Sequence, residues 1–92
     1  MKQFREQILN ILKIRGEHKQ ILKALEEMAE LQTAILHAIN GKGSVSHVRE
    51  EIADVAVCLE YLKIIFNLTD GELAERAEGK LERELGRINN GN

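Results

Sequence analysis

The sequence predicts an all-α fold: an antiparallel helical hairpin within a bundle of about four helices. Three observations carry that expectation. The 92 residues contain no proline, one tyrosine and two phenylalanines. Leu, Ile, Ala, Glu and Lys, all helix-compatible residues, abound, and strand-like alternation is absent. Apolar residues recur instead at spacings of three and four, the period of an amphipathic helix.

Each element follows from local chemistry. Phe4, Ile8, Leu9, Ile11 and Leu12 form the apolar stripe of a first helix over about 2–15, interrupted by Gly16. Ile21, Leu25, Met28, Leu31, Ile35 and Ile39 continue the period through a second helix over about 18–39. Asn40-Gly41-Lys42-Gly43-Ser44 is a loop by composition, with Gly41 placed to stop the helix in a left-handed conformation. Ser46 is a suitable N-cap for a third helix over about 47–66. Thr69-Asp70-Gly71-Glu72 matches a capping box and opens a fourth helix to about 88. The tail 89–92, Asn-Asn-Gly-Asn, is expected to fray. Residues 1–92 read as a single domain: an N-terminal helix (1–16), a hairpin (18–66), a C-terminal helix (69–88) and a short tail.

Bulk numbers narrow the function classes. A chain this short removes only about 60–65% of its unfolded surface from water, so the core is expected to be completed in a homodimer or homotetramer. Thirteen basic and 15 acidic residues give a net charge of −2, which offers no general attraction to nucleic acid or to anionic membranes. No run approaches the ~20 apolar residues that span a bilayer, and no signal peptide is legible at the N-terminus. The lone Cys58 lies in an apolar run and has no intrachain partner, which fits a reducing, cytoplasmic setting.

The most informative feature is acidic. Asp54 is the one carboxylate in the run Ile52-Ala53-Asp54-Val55-Ala56-Val57-Cys58-Leu59. So apolar a stretch predicts a helix packed on most sides, with Asp54 pointing inward and needing a partner, a proton or a metal. Glu51 lies three residues upstream, and Glu26-Glu27-x-x-Glu30 precedes the loop. Residues three apart share a helix face, so Glu27/Glu30 and Glu51/Asp54 each project as a pair. In a hairpin, Glu30 lies about 13 Å and Asp54 about 10 Å from the loop, nearly level, with Glu27 and Glu51 less well matched.

Acidic pairs at this spacing are common where 30% of residues are charged, and solvated surface charge is their ordinary explanation. Their neighbours distinguish these. Glu60/Lys63, Glu72/Arg76 and Lys80/Glu84 follow the usual opposite-charge pattern. Glu30 and Asp54 have no base three or four residues away and do have like charges there. At ~5 Å and an effective dielectric of ~20, each like pair costs about 3 kcal/mol. A cation would relieve that cost. Carboxylates without a companion His or Cys suit hard ions, Mg²⁺ first and Mn²⁺ second. Mg²⁺ held this way commonly completes its shell with water and phosphates.

Glu26-Glu27-x-x-Glu30, a spacer of about twenty residues, then Glu51-x-x-Asp54 resembles the signature of the MazG-like all-α nucleoside triphosphate pyrophosphohydrolases. The resemblance covers about residues 20–88. It implies Mg²⁺-dependent cleavage of a nucleoside triphosphate to the monophosphate and pyrophosphate by a dimer or tetramer. By position, Glu27, Glu30, Glu51 and Asp54 would be the metal ligands and Glu26 a catalytic acid, either outside the ligand shell or orienting the water. Lys80 and Arg83, with Arg87 on the same stripe, would contact phosphates, as basic residues of this region often do in the family; an exposed helix laced with ion pairs is the plainer account of them.

Other candidates are weaker. Lys42 lies between glycines, but the loop lacks the Gly-x4-Gly-Lys-Ser/Thr spacing of a phosphate-binding loop. Tyr61 and Phe4 are the candidates for stacking on a base, although single aromatics at helical spacing more often pack in a core. His18, His37 and His47 are scattered, His47 standing four residues before Glu51. Cys58 has no pairing base and reads as packing. Phosphoribosyl-ATP pyrophosphohydrolase is an alternative enzyme, but the chain has Lys23-Ala24-Leu25 where such enzymes usually show a Lys-rich Gly-Glu-Glu lead-in. A non-catalytic helical interaction module is the alternative outside enzymes.

Overall fold

The computed structural model describes residues 1–91. A 3-10 turn over Lys2–Phe4 leads into α1 (Arg5–Arg15), α2 (Glu17–Ile39), α3 (Val45–Ile65) and α4 (Asp70–Asn89), with no strand among the described residues. Gly16, at φ 88°, separates α1 from α2 in a conformation that only glycine adopts without strain. The amide of Gly41 (φ 73°) donates to the Ala38 carbonyl at 3.2 Å and that of Lys42 to His37 at 2.8 Å. That bond pair is a Schellman closure, so Gly41 ends α2 as its sequence position predicts. Asn67 repeats the device after α3 at φ 54°, with Leu68 donating to Lys63 at 2.8 Å.

Two boundaries differ from expectation. The N-cap of α3 is Ser44 rather than Ser46: its hydroxyl accepts the His47 amide at 3.0 Å. A cap must reach an amide two or three positions ahead from an extended backbone, and Ser44, at φ −114° and ψ 150°, meets that requirement. The expected tail is helical through Asn89, and Gly91 at φ 79° follows the helix end. Asn92 lies outside the described residues. The Thr69–Glu72 capping box forms as expected, with both reciprocal bonds present.

Helices α2 and α3 form the antiparallel hairpin, and α1 packs against both. Ile8, Leu12, Ala24, Cys58 and Tyr61 make the buried core, flanked by Ile11, Met28, Leu62, Ile64 and Ile65. The expected stripe of α1 is buried at Ile8 and Leu12, whereas Phe4 and Leu9 are exposed. On α2, Leu25, Ile35 and Ile39 are exposed, and the buried residues are Gln20, Ala24, Glu27 and Ala34. Small Ala24 and Ala34 give the hairpin a close approach, and that contact turns the bulkier stripe of α2 toward an edge.

No residue of α4 is buried, and among the described residues α4 packs against no other helix. Its first turn is tied back by Lys63, whose ammonium bridges Asp70 at 2.5 Å and Glu60 at 3.0 Å. The radius of gyration is 16.2 Å. A compact domain of this length would measure about 12 Å. Among the described residues, no helix is long and apolar enough to cross a membrane.

Candidate metal centre

Midway along the hairpin, α2 and α3 bring three carboxylates together. Glu27, Glu51 and Asp54 each offer an oxygen, and these oxygens lie within 4.8 Å of one another. Glu27 and Glu51 are only 5% and 8% exposed. One oxygen of each, Oε2 in both cases, is buried without a hydrogen-bond partner among the described residues. Buried polar atoms are normally satisfied, and a bare carboxylate oxygen is among the costliest exceptions. With two such atoms in it, the cluster could hold a metal ion.

The burial pattern corrects one expectation. Asp54 is exposed rather than inward, and the inward carboxylates are Glu27 and Glu51. The apolar run around Asp54 is not enclosed within one chain, since Ile52, Val57 and Leu59 are exposed as well. Helix α3 buries one stripe, Glu51, Cys58 and Tyr61, against its neighbours, and Asp54 stands at the margin of that stripe. The pairing across the hairpin differs too. Glu27 meets Glu51 and Asp54, whereas Glu30, level with Asp54 by axial counting, is exposed outside the tightest group.

Electrostatics tie Glu30 to the cluster. The charge of Glu27, with further contributions from burial and from Glu51 and Glu26, pushes the Glu30 carboxyl above its ordinary value. The Glu27 carboxyl is held below the usual range, chiefly by a hydrogen bond from Lys23 that outweighs desolvation. Lys23 Nζ stands 2.9 Å from Glu27 Oε1, and its own pKa is raised in return. This ion pair is not among the features expected from the sequence, although Lys23-x3-Glu27, an i,i+4 spacing of opposite charges, carries its signal. His47 Nε2 approaches Glu51 Oε1 at 3.9 Å from an exposed position.

The remaining candidates are dispersed. Glu26 is exposed on α2, one residue from Glu27. Lys80 and Arg83 are exposed on α4 and are not brought to the acidic group within one chain. Glu84, the expected partner of Lys80, pairs with Arg87 at 2.5 Å. Lys42 is exposed in the loop, as are His18, His37 and Phe4 on their helices. Tyr61 is core, and Cys58 is buried with its thiol pKa pushed up by desolvation, which suits packing rather than nucleophilic attack. A cleft of about 360 Å³ between the N-terminus, the end of α3 and the start of α4 is lined by Lys2, Arg5, Glu60 and Lys63 among others and includes none of the clustered acids. No protein-family model, curated protein or solved structure matches this chain.

Proposed function

We propose that the chain is a Mg²⁺-dependent nucleotide pyrophosphohydrolase of the MazG-like all-α type, acting in the cytoplasm on a nucleoside triphosphate. One observation carries the reading: two buried carboxylates, Glu27 and Glu51, each with an unpartnered oxygen, converge with Asp54 within 4.8 Å. The donor set is oxygen only, which favours Mg²⁺, with Mn²⁺ second, over zinc. Glu27, Glu51 and Asp54 would hold the ion, and Glu30 would be the fourth ligand. Bound there, Mg²⁺ supplies charge neutralisation at the phosphates and a lowered pKa for water.

The chain's own residues do the rest. Glu26 orients the attacking water and receives its proton. The water oxygen bonds to phosphorus, an anhydride P–O bond breaks, and the leaving pyrophosphate takes the electron pair. Lys80 and Arg83 neutralise the triphosphate once α4 is brought to the acidic group, by its own chain or by a second copy. Placing the carboxylates on two helices holds them more firmly than loops would.

A second reading, a non-catalytic helical module, draws on the Lys23–Glu27 pair, which already places a cation at one of the buried acids. One experiment separates the two. Purified protein is incubated with a panel of nucleoside triphosphates, phosphoribosyl-ATP included, and Mg²⁺, and pyrophosphate release is followed. Turnover of at least one substrate is expected, with a loss of about a hundredfold or more in Glu51→Gln and Asp54→Asn at unchanged helicity. A chain inert toward every substrate, or variants as active as wild type, would refute the enzyme.

A further inference from the structure

The cleft of about 360 Å³ where α1, the end of α3 and the start of α4 meet carries charge that the chain does not balance. Its acids are Glu60 and Asp70. The Lys63 ammonium stands 3.0 Å from Glu60 Oε2 and 2.5 Å from Asp70 Oδ1. Glu60 Oε1 also meets the Met1 ammonium at 3.7 Å. The Asp70 carboxyl is held below its ordinary value chiefly by the Lys63 contact, so this acid is already spoken for. Two acids thus face two cations. Lys2 and Arg5 line the same cleft and form no ion pair among the described residues. Those two positive charges are left over, in a chain whose net charge is −2.

The surplus sets the charge of a ligand. A phosphate monoester carries about −1.5 to −2 at pH 7, which matches two cations where a carboxylate would match only one. Arg5 offers a planar fork of donors that can grip two phosphate oxygens, and Lys2 a mobile point charge. The cleft's apolar lining sets the rest of the molecule. Ile8 is 4% exposed, and Ile64 and Leu68, which also line the cleft, are half-buried. The volume exceeds what inorganic phosphate fills and lies at the low end of the roughly 300–1,000 Å³ of small-molecule sites. Apolar lining together with surplus basic charge suits a phosphate head on a compact apolar body.

We propose that this cleft binds a small organic phosphate monoester, its phosphate held by Arg5 and Lys2 and its apolar body laid on Ile8, Ile64 and Leu68. The site is separate from the acidic cluster. None of the clustered acids lines it, and Lys63 lies about 14 Å along α3 from Asp54. It depends neither on a metal nor on the activity proposed above. Because its walls belong to three elements, a bound monoester bridges α1 to the first turn of α4, which the Lys63–Asp70 contact ties to α3.

The test titrates the full chain, untagged at Met1, with naphthyl phosphate in EDTA, followed by calorimetry and by amide chemical shifts. EDTA keeps the acidic cluster free of metal, so failure here and failure of the proposed hydrolysis are separate results. A Kd of about 1 mM or tighter is expected, with the shifts grouped at Arg5, Ile64, Leu68 and Asp70. Arg5→Gln is expected to weaken binding about tenfold or more and Lys2→Gln severalfold, at unchanged helicity because both side chains are exposed. Lys42→Gln removes the same charge from the loop at the far end of the hairpin and is expected to bind as wild type does. Inorganic phosphate, which lacks the body, and naphthol, which lacks the phosphate, should each bind at least about tenfold more weakly. No binding at about 10 mM naphthyl phosphate would overturn the proposal. So would an Arg5→Gln protein that binds as wild type does, a Lys42→Gln loss equal to that of Arg5→Gln, or inorganic phosphate or naphthol that matches the ester.

Discussion

Replacing Glu51 by Met should stabilise the metal-free protein and abolish its stabilisation by Mg²⁺, a reversal of sign that an ordinary structural glutamate would not show. Glu51 is 8% exposed, with one oxygen unpartnered and the carboxylates of Glu27 and Asp54 within 4.8 Å. At that separation and an effective dielectric of ~20, each like-charge pair costs about 3 kcal/mol gross. The Asp54 share is largely screened, because that residue is exposed, and Lys23 at 2.9 Å from Glu27 offsets part of the other. Met keeps the length of Glu and brings no unsatisfied polar atom. A net gain of at least about 1 kcal/mol remains, or about 4–8 °C in Tm for a domain of this size. Mg²⁺ at a hundredfold excess over Kd should stabilise wild type by about 2.7 kcal/mol and Glu51→Met by almost nothing. Differential scanning calorimetry in EDTA and in Mg²⁺ measures both. A Glu51→Met protein that melts below wild type in EDTA, or that keeps the wild-type Mg²⁺ gain, would refute the reasoning.

Lys23→Met should lower Tm in EDTA, since Glu27 loses its counter-charge, yet tighten Mg²⁺ binding because the competing ammonium is gone; isothermal titration finding weaker binding would contradict this. The Glu30 carboxyl is raised above its ordinary 4.5 by Glu27, so it keeps its proton to higher pH than a free glutamate. Its contribution to the stability of the metal-free fold is therefore present below pH 4.5 and lost as pH rises through the raised value. Mg²⁺ must displace that proton, so affinity should fall as pH drops through the same window, and Glu30→Gln should flatten the dependence. Ala24, 1% exposed in the hairpin contact, tolerates no bulk: Ala24→Leu should cost about 1–3 kcal/mol in urea denaturation, and an unchanged midpoint would exclude the close approach inferred for α2 and α3.

Much of the local structure was legible in the chain. Gly16, Gly41 and the Thr69–Glu72 box stop and start helices where their chemistry requires, because these signals act over three or four residues and need no tertiary partner. Ser44 displaced Ser46 as a cap for the same reason seen more closely: two hydroxyls competed, and only backbone conformation chose between them.

The acids show where such reading stops. That Glu27, Glu30, Glu51 and Asp54 lie near one another follows from a hairpin and a period of 3.6 residues. Which of them turn inward does not. Periodicity gives the angle between residues on one helix but not the rotation of that helix against the next. That rotation is set by which side chains pack, and here Ala24 and Ala34 let α3 approach along the Glu27 side of α2. The contact buries Glu27 and Glu51, leaves Asp54 and Glu30 toward solvent, and leaves Leu25, Ile35 and Ile39 of α2 exposed. Sequence by itself determined four helices, a hairpin and an acidic cluster across it. Tertiary structure alone decided which carboxylates are buried and that, among the described residues, α4 packs against no other helix beyond the Lys63–Asp70 bridge, because both are settled by packing between helices rather than by any signal within one.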